Sequence, residues 1–153
     1  MTMLTARHRV GVATGAVAAG VAAMVALTSC AVSGVTADRL GDAVGPAFSR
    51  LYAFQQHELG RTVPRRPDGV ATCRRNSSHS PRRGAGDDWV CIVNYPFADG
   101  HIQPITYDLH VEPNGCYTAD GPTQVVGPQR QRDATGTDVT NPLFEFDGCI
   151  DVT

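Results

Sequence analysis

Residues 105–120 read ITYDLHVEPNGCYTAD, and this stretch decides the fold. Ile105, Tyr107, Leu109 and Val111 alternate with Thr106, Asp108, His110 and Glu112, a period of two that sends one set to a core and the other to solvent. Pro113, Asn114 and Gly115 follow at once. Asn and Gly tolerate positive φ, so the chain is expected to turn as a hairpin and return as a second strand over residues 116–119. A strand with one apolar face needs a cover, which the rest of the chain has to provide.

Upstream, residues 70–75 and 89–95 predict two more strands, the second with Trp89, Cys91, Val93 and Tyr95 on one side. The segment RRNSSHSPRRGAGDD between them is polar, glycine-containing and too long for a tight turn, so it reads as a mobile loop. Downstream, residues 123–126 extend the hairpin strand past Gly121-Pro122, residues 127–142 read as loop, and residues 143–152 form a last strand through Phe144, Phe146 and Ile150. The cover comes from residues 36–60. Leu40, Val44, Ala47, Phe48, Leu51, Tyr52, Gln55 and Leu59 keep to one helical face, while Asp38, Asp42, Arg50, Gln56 and Glu58 fall off it. Thr36 or Asp38 can cap the start and Gly60 can close the end, and Gly45-Pro46 is expected to kink or break the middle. Residues 61–69, RTVPRRPDG, are a connector. The expected fold is α+β: an N-terminal helix, whole or broken at Gly45-Pro46, packed on a four- to five-stranded antiparallel sheet with two disulfides.

The first 29 residues read as a leader. Arg7, His8 and Arg9 form a positive segment, and residues 10–28 are uncharged and rich in Ala, Val and Gly. Leu27-Thr28-Ser29-Cys30 resembles the lipobox of bacterial lipoprotein precursors. That resemblance implies a diacylglyceryl thioether on the Cys30 sulfur, cleavage before Cys30, and a mature chain held on the outer face of the cytoplasmic membrane. Each acyl chain gains about 0.8 kcal/mol per buried CH2, and two or more anchor stably. Residues 30–37 then read as a short tether, and residues 38–153 as one extracytoplasmic domain. Two competing readings are an ordinary cleavage after Val35-Thr36-Ala37 and a retained transmembrane anchor.

Five cysteines leave one over in an exported protein. With Cys30 assigned to lipid, Cys73, Cys91, Cys116 and Cys149 form an even set in an oxidising compartment. Four cysteines allow three connectivities; neighbouring strands favour Cys73 with Cys91 and Cys116 with Cys149. Each bridge would constrain the unfolded chain by about 3 to 4 kcal/mol. Their spacing contains no C-x-x-C pair, which argues against zinc.

The 13 basic residues are all arginine. Without Arg7 and Arg9 the chain carries 11 Arg against 15 Asp and Glu, a net charge of −4 that argues against general nucleic-acid binding. Asp108, His110 and Glu112 share a strand face and are the candidate polar group for acid/base or metal chemistry, against the alternative of a solvated sheet face. No G-x-S-x-G, S-x-x-K, H-E-x-x-H or phosphate-cradling glycine loop is present, and no cofactor is implied. Arg74, Arg75, Arg82 and Arg83 bracket the long loop and could touch anionic headgroups or an acidic partner, with Asp87 and Asp88 weakening the patch.

The W-x-C strand, the NGCY hairpin and the closing NPLFEFDGC resemble small secreted or lipid-anchored proteins of Streptomyces-like actinobacteria, over roughly residues 69–153. The resemblance implies a source and assigns no activity. The leading expectation is a lipid-anchored extracytoplasmic binding protein of the cell envelope, attached to the membrane through its N-terminal lipid and engaging an envelope protein or peptide. The alternatives are a small envelope hydrolase using the Asp108/His110/Glu112 face and a structural envelope protein.

Overall fold

The computed structural model describes residues 34–63, 69–97 and 100–153. Cys30, the leader and the first part of the tether lie outside the described residues. Helix α1 (Ala37–Glu58) is followed by strands β1 (Val70–Arg75), β2 (Gly86–Pro96), β3 (Ile102–Val111) and β4 (Cys116–Asp120). A one-turn helix α2 (Thr123–Val126), a small hairpin of β5 (Arg130–Arg132) and β6 (Asp138–Thr140), and strand β7 (Glu145–Cys149) complete the chain. Strands β1-β2-β3-β4-β7 form one antiparallel sheet in that order, and α1 covers one face of it. Among the described residues no helix is long and apolar enough to cross a membrane.

The alternation in residues 105–111 holds along β3. Ile105, Tyr107, Leu109 and Val111 are buried and the intervening residues exposed. Across the sheet, Trp89, Leu109, Ala119 and Phe146 stand opposite one another and form one row of the core. Leu40, Val44, Ala47, Phe48 and Tyr52 of α1 pack onto these rows, with the Phe48 ring edge-on to Tyr95 and Tyr107. Burial pushes the Tyr107 phenol well above the ordinary tyrosine value, while its hydroxyl donates to the Leu143 carbonyl at 2.9 Å. A raised folded-state pKa gives a contribution that is complete below about pH 10 and declines as pH rises above it. Alkaline titration followed at the phenolate absorbance is therefore expected to show Tyr107 ionising only with unfolding; ionisation in step with the exposed chain value would contradict its burial.

Helix α1 starts where the tether was expected to end. Val35 is 2% exposed and belongs to the core, and the Thr36 side chain accepts from the Arg39 N–H at 3.3 Å as N-cap. The domain therefore begins before residue 38, because an apolar Val has a pocket and the helix needs its cap. Gly60, at φ 68°, closes the other end. The helix runs unbroken through Gly45-Pro46. Pro46 is exposed, so water can serve the carbonyl its missing N–H leaves free, and Gly45 has a different role. The two half-cystines of the Cys73–Cys91 bridge have Cα atoms 4.0 Å apart, a narrow pair. By alternation the Ala71 N–H and C=O then point away from β2, toward the helix. A Cβ on Gly41 would lie 2.6 Å from the Ala71 oxygen, and one on Gly45 2.5 Å from the Gly69 oxygen. Ser49, one turn on, donates to the Gly45 carbonyl and accepts from the Gly69 N–H at 2.8 Å. Gly41, Gly45 and Ser49 thus form a small-residue stripe that lets α1 cover the edge of β1, which would otherwise be open for pairing.

Both disulfides join directly opposed residues, Cys73 with Cys91 and Cys116 with Cys149. They lie on opposite faces of the sheet. Cys73 and Cys91 are buried beneath α1, whereas Cys149 is exposed and Cys116 half-buried on the outer face. Access controls exchange, so mild reductant followed by alkylation and mass mapping is expected to label Cys116 and Cys149 while Cys73 and Cys91 remain linked. Simultaneous labelling of all four would refute that order.

Residues 121–144 depart from the strand-then-loop expectation. Residues 123–126 form a helical turn, and residues 127–142 contain the β5–β6 hairpin. Its tip is organised by Asp133, whose carboxylate accepts from the Thr135 and Thr137 N–H groups, each at 2.8 Å. The Ala134 N–H then donates to the Glu58 carbonyl at 2.8 Å, docking the hairpin on the C-terminal end of α1.

Candidate functional site

The outer sheet face carries the polar group expected from the sequence. Asp108 and His110 are exposed on β3, and Glu112 follows just beyond its end. His110 pairs with Asp87 from the irregular start of β2, not with Asp108 or Glu112. Asp108 stands in a row with Asp120 and Glu145, and His110 in a row with Thr118 and Asp147. His110, Glu112 and Asp147 border a shallow groove of about 170 Å³ beside the Cys116–Cys149 bridge. The His110 side chain is 57% exposed and that of Asp87 81%, so water screens the pair and its energetic worth is small. Among the described residues no group of three or more His, Cys, Asp or Glu is arranged to hold a metal ion. The face is an acidic, solvated surface with one histidine.

The segment between β1 and β2 is tied down more firmly than a mobile loop. The Arg75 side chain, 6% exposed, pairs with Asp88 and donates to the carbonyls of Pro81, Gly84 and Ala85 at 3.1, 2.6 and 2.8 Å. Its guanidinium also lies 4.3 Å above the Trp89 ring, whose N–H donates to the Gly84 carbonyl. One planar group with five donors can gather that many acceptors, which a lysine could not. The Ser80 hydroxyl first, and Arg75 after it, hold the Asp88 carboxyl below the ordinary carboxylate range despite some desolvation.

A larger hollow lies at the C-terminal end of α1, about 290 Å³, walled by α1, residue 97 after β2, α2 and the β5–β6 hairpin. Phe48, Tyr52 and Phe97 provide an aromatic side, with Tyr52 and Phe97 meeting edge to face. Gln55 and Gln56 line it too and belong to an amide chain. Asn141, fully buried, donates to the Val126 and Pro128 carbonyls and accepts from Gln55 Nε2 at 2.7 Å. Gln55 Oε1 accepts from Gln56 Nε2, and Gln56 Oε1 accepts from Arg61 at the rim. Gln131, at the centre of β5, turns its Nε2 into this wall, where the atom is sealed from water and has no partner.

The helical periodicity places Gln55 on the packed face of α1 and Gln56 on the polar side, yet both are buried. Gln131 and Asn141 fall in a stretch whose composition reads as loop. The alternation in RQR and DVT around the Asp133–Gly136 turn is the signal that marks the hairpin. Comparison with protein-family models, with curated proteins and with solved structures finds no match for this chain.

Proposed function

We propose that this chain is a lipid-anchored extracytoplasmic binding protein of the bacterial cell envelope, and that the hollow at the C-terminal end of α1 takes a short peptide-type ligand. The observation that carries the ligand reading is Gln131 Nε2, a donor sealed in the wall without an acceptor. Such a group costs about 1 to 3 kcal/mol, a cost that is removed when the Gln131 side chain, which lines the hollow, rotates to donate to a ligand carbonyl. The aromatic side fits an apolar side chain, and Arg61 at the rim fits a carboxylate.

The anchor reading has structural support from Val35 and Thr36. A cut after Ala37 would remove a core residue and the N-cap of α1, whereas cleavage before Cys30 keeps both. The hollow lies at the far end of the 22-residue helix, roughly 33 Å from its N-terminal end.

Cys30→Ser is expected to abolish lipidation by intact mass and to release the protein from lipid-dependent membrane association; an unchanged mass would overturn the anchor. For the hollow, the probe is a panel of acetylated tripeptides with free carboxylates, titrated while the glutamine side-chain amide signals are followed by NMR. Saturable shifts at Gln131 are expected, and Gln131→Ala should weaken binding about tenfold while leaving stability unchanged or higher, since it deletes an unpaired donor. No saturable shift would defeat the peptide reading, and shifts at Asp108, His110 and Glu112 with peptide cleavage would replace it with the hydrolase reading.

A further inference from the structure

We propose that the open edge of β7 takes an extended segment of a basic partner protein as a sixth, antiparallel strand, a contact separate from the hollow and independent of the anchor. The sheet treats its two edges differently. Helix α1 covers that of β1 through Gly41 and Gly45, while β7 has β4 on one side and no strand on the other. The Cα atoms of Cys116 and Cys149 are 3.9 Å apart, a narrow pair. By alternation Phe146 and Gly148 bond to β4, as Ile150 does to the Gly115 carbonyl at 3.0 Å. Glu145, Asp147 and Cys149 therefore turn their N–H and C=O groups away from the sheet, and among the described residues these groups have no hydrogen bond. The run is bounded at both ends: Tyr107 donates to the Leu143 carbonyl, and Arg39 to the Asp151 carbonyl. Donors and acceptors at alternate residues are what an extended backbone matches.

The two sides of the edge select the side chains of that segment. On the outer face an added strand prolongs two rows, Asp108–Asp120–Glu145 and His110–Thr118–Asp147. The four carboxylates of these rows are exposed and have no ion pair among the described residues. Lysine or arginine opposite Glu145 and Asp147 completes the rows, whereas a second copy of β7 would set the same carboxylates against them. On the inner face a groove of about 270 Å³ runs between β7 and α1, lined by Ala43, Pro46 and Ala47 of the helix and by Tyr117 and Gly148 of the sheet. Asp42 and Arg50 line it too and balance each other. The groove is open because residue 148 has no side chain, and a Cβ there would lie 2.6 Å from the Tyr117 hydroxyl. An uncharged side chain of the added strand fits this side, so the recognised pattern alternates basic with apolar.

The test titrates the full chain with an acetylated, amidated heptapeptide of alternating lysine and valine, followed by NMR. Saturable shifts are expected at the Glu145, Asp147 and Cys149 amides, with hydrogen exchange slowed at those three alone, since the Phe146 and Gly148 N–H groups are already bonded to β4. The same peptide N-methylated at its lysine backbone nitrogens should not bind, nor should one with glutamate in place of lysine. Glu145→Gln/Asp147→Asn should weaken binding roughly tenfold, while Asp108→Asn, on the same face but two strands in from the edge, should leave it unchanged. Binding of the N-methylated peptide, or an equal loss from Asp108→Asn, would reduce the contact to diffuse charge attraction and overturn the edge site. Binding of the glutamate peptide would overturn the basic partner. Protection of the three amides on raising the protein concentration without peptide would give the edge to a second copy. The capped probe has no carboxylate for Arg61, so shifts confined to Gln131 would place it in the hollow and refute pairing at β7.

Discussion

Gly45→Ala is expected to lower the unfolding free energy by about 3 kcal/mol, opposite in sign to the gain of about 1 kcal/mol that alanine brings to an exposed helix interior. The added Cβ would sit 2.5 Å from the Gly69 oxygen and 3.1 Å from the Ala71 nitrogen. Both atoms are backbone and cannot swing aside, so α1 must lift from β1. Lifting also pulls Ser49 from the Gly69 N–H, a buried hydrogen bond at 2.8 Å. The neighbouring residue gives the contrast: Pro46 is exposed, and Pro46→Ala restores a helical N–H at an unpacked position. It should stabilise by about 1 kcal/mol or more. Urea unfolding of the two variants reads the signs directly. A neutral Gly45→Ala would mean that the helix does not rest on the edge of β1.

Asn141→Ala is expected to cost about 4 kcal/mol. The side chain of Asn141 donates to the Val126 carbonyl at 2.8 Å and the Pro128 carbonyl at 3.1 Å, and accepts from Gln55 Nε2 at 2.7 Å and the Leu143 N–H at 3.0 Å. Truncation leaves buried partners unpaired, each costing about 1 to 3 kcal/mol. Water entering from the adjacent hollow offsets part of that sum. Asn141→Asp should be nearly as damaging, because a carboxylate cannot donate to the two carbonyls. The loss is also expected to be local: amide hydrogen exchange should accelerate over residues 123–140 while β2 and β3 stay protected. A cost below about 1 kcal/mol would show that Asn141 does not hold this segment to α1.

These two residues also mark where the sequence stops being legible. The two periodicities, two along residues 89–95 and 105–111 and three to four along residues 40–59, depend only on which side of an element meets the core. Each can be read within a few turns of chain. They determined an α+β fold and the cover on one face, and they favoured, among three connectivities, the pairing of Cys73 with Cys91 and of Cys116 with Cys149 that the structure shows. Asn114-Gly115 is a local signal in the same sense, and its turn places Gly115 at φ 86°.

The features that shape the hollow and seat the helix depend on partners remote in sequence. Asn141 meets Gln55 across 86 residues, and nothing near Asn141 distinguishes it from a loop asparagine until that meeting occurs. Gly45 looked like half of a helix-breaking pair because its purpose, closeness to the Gly69 oxygen, exists only once β1 lies against the helix. Arg75 looked like one of four loop arginines until its fold partners separated it from Arg74 and Arg82. Local patterning thus determined which elements form and which way they face. The tertiary structure alone decided which glycines, amides and arginines are committed to packing, because that commitment is set by distances between segments and not by the order of residues within one.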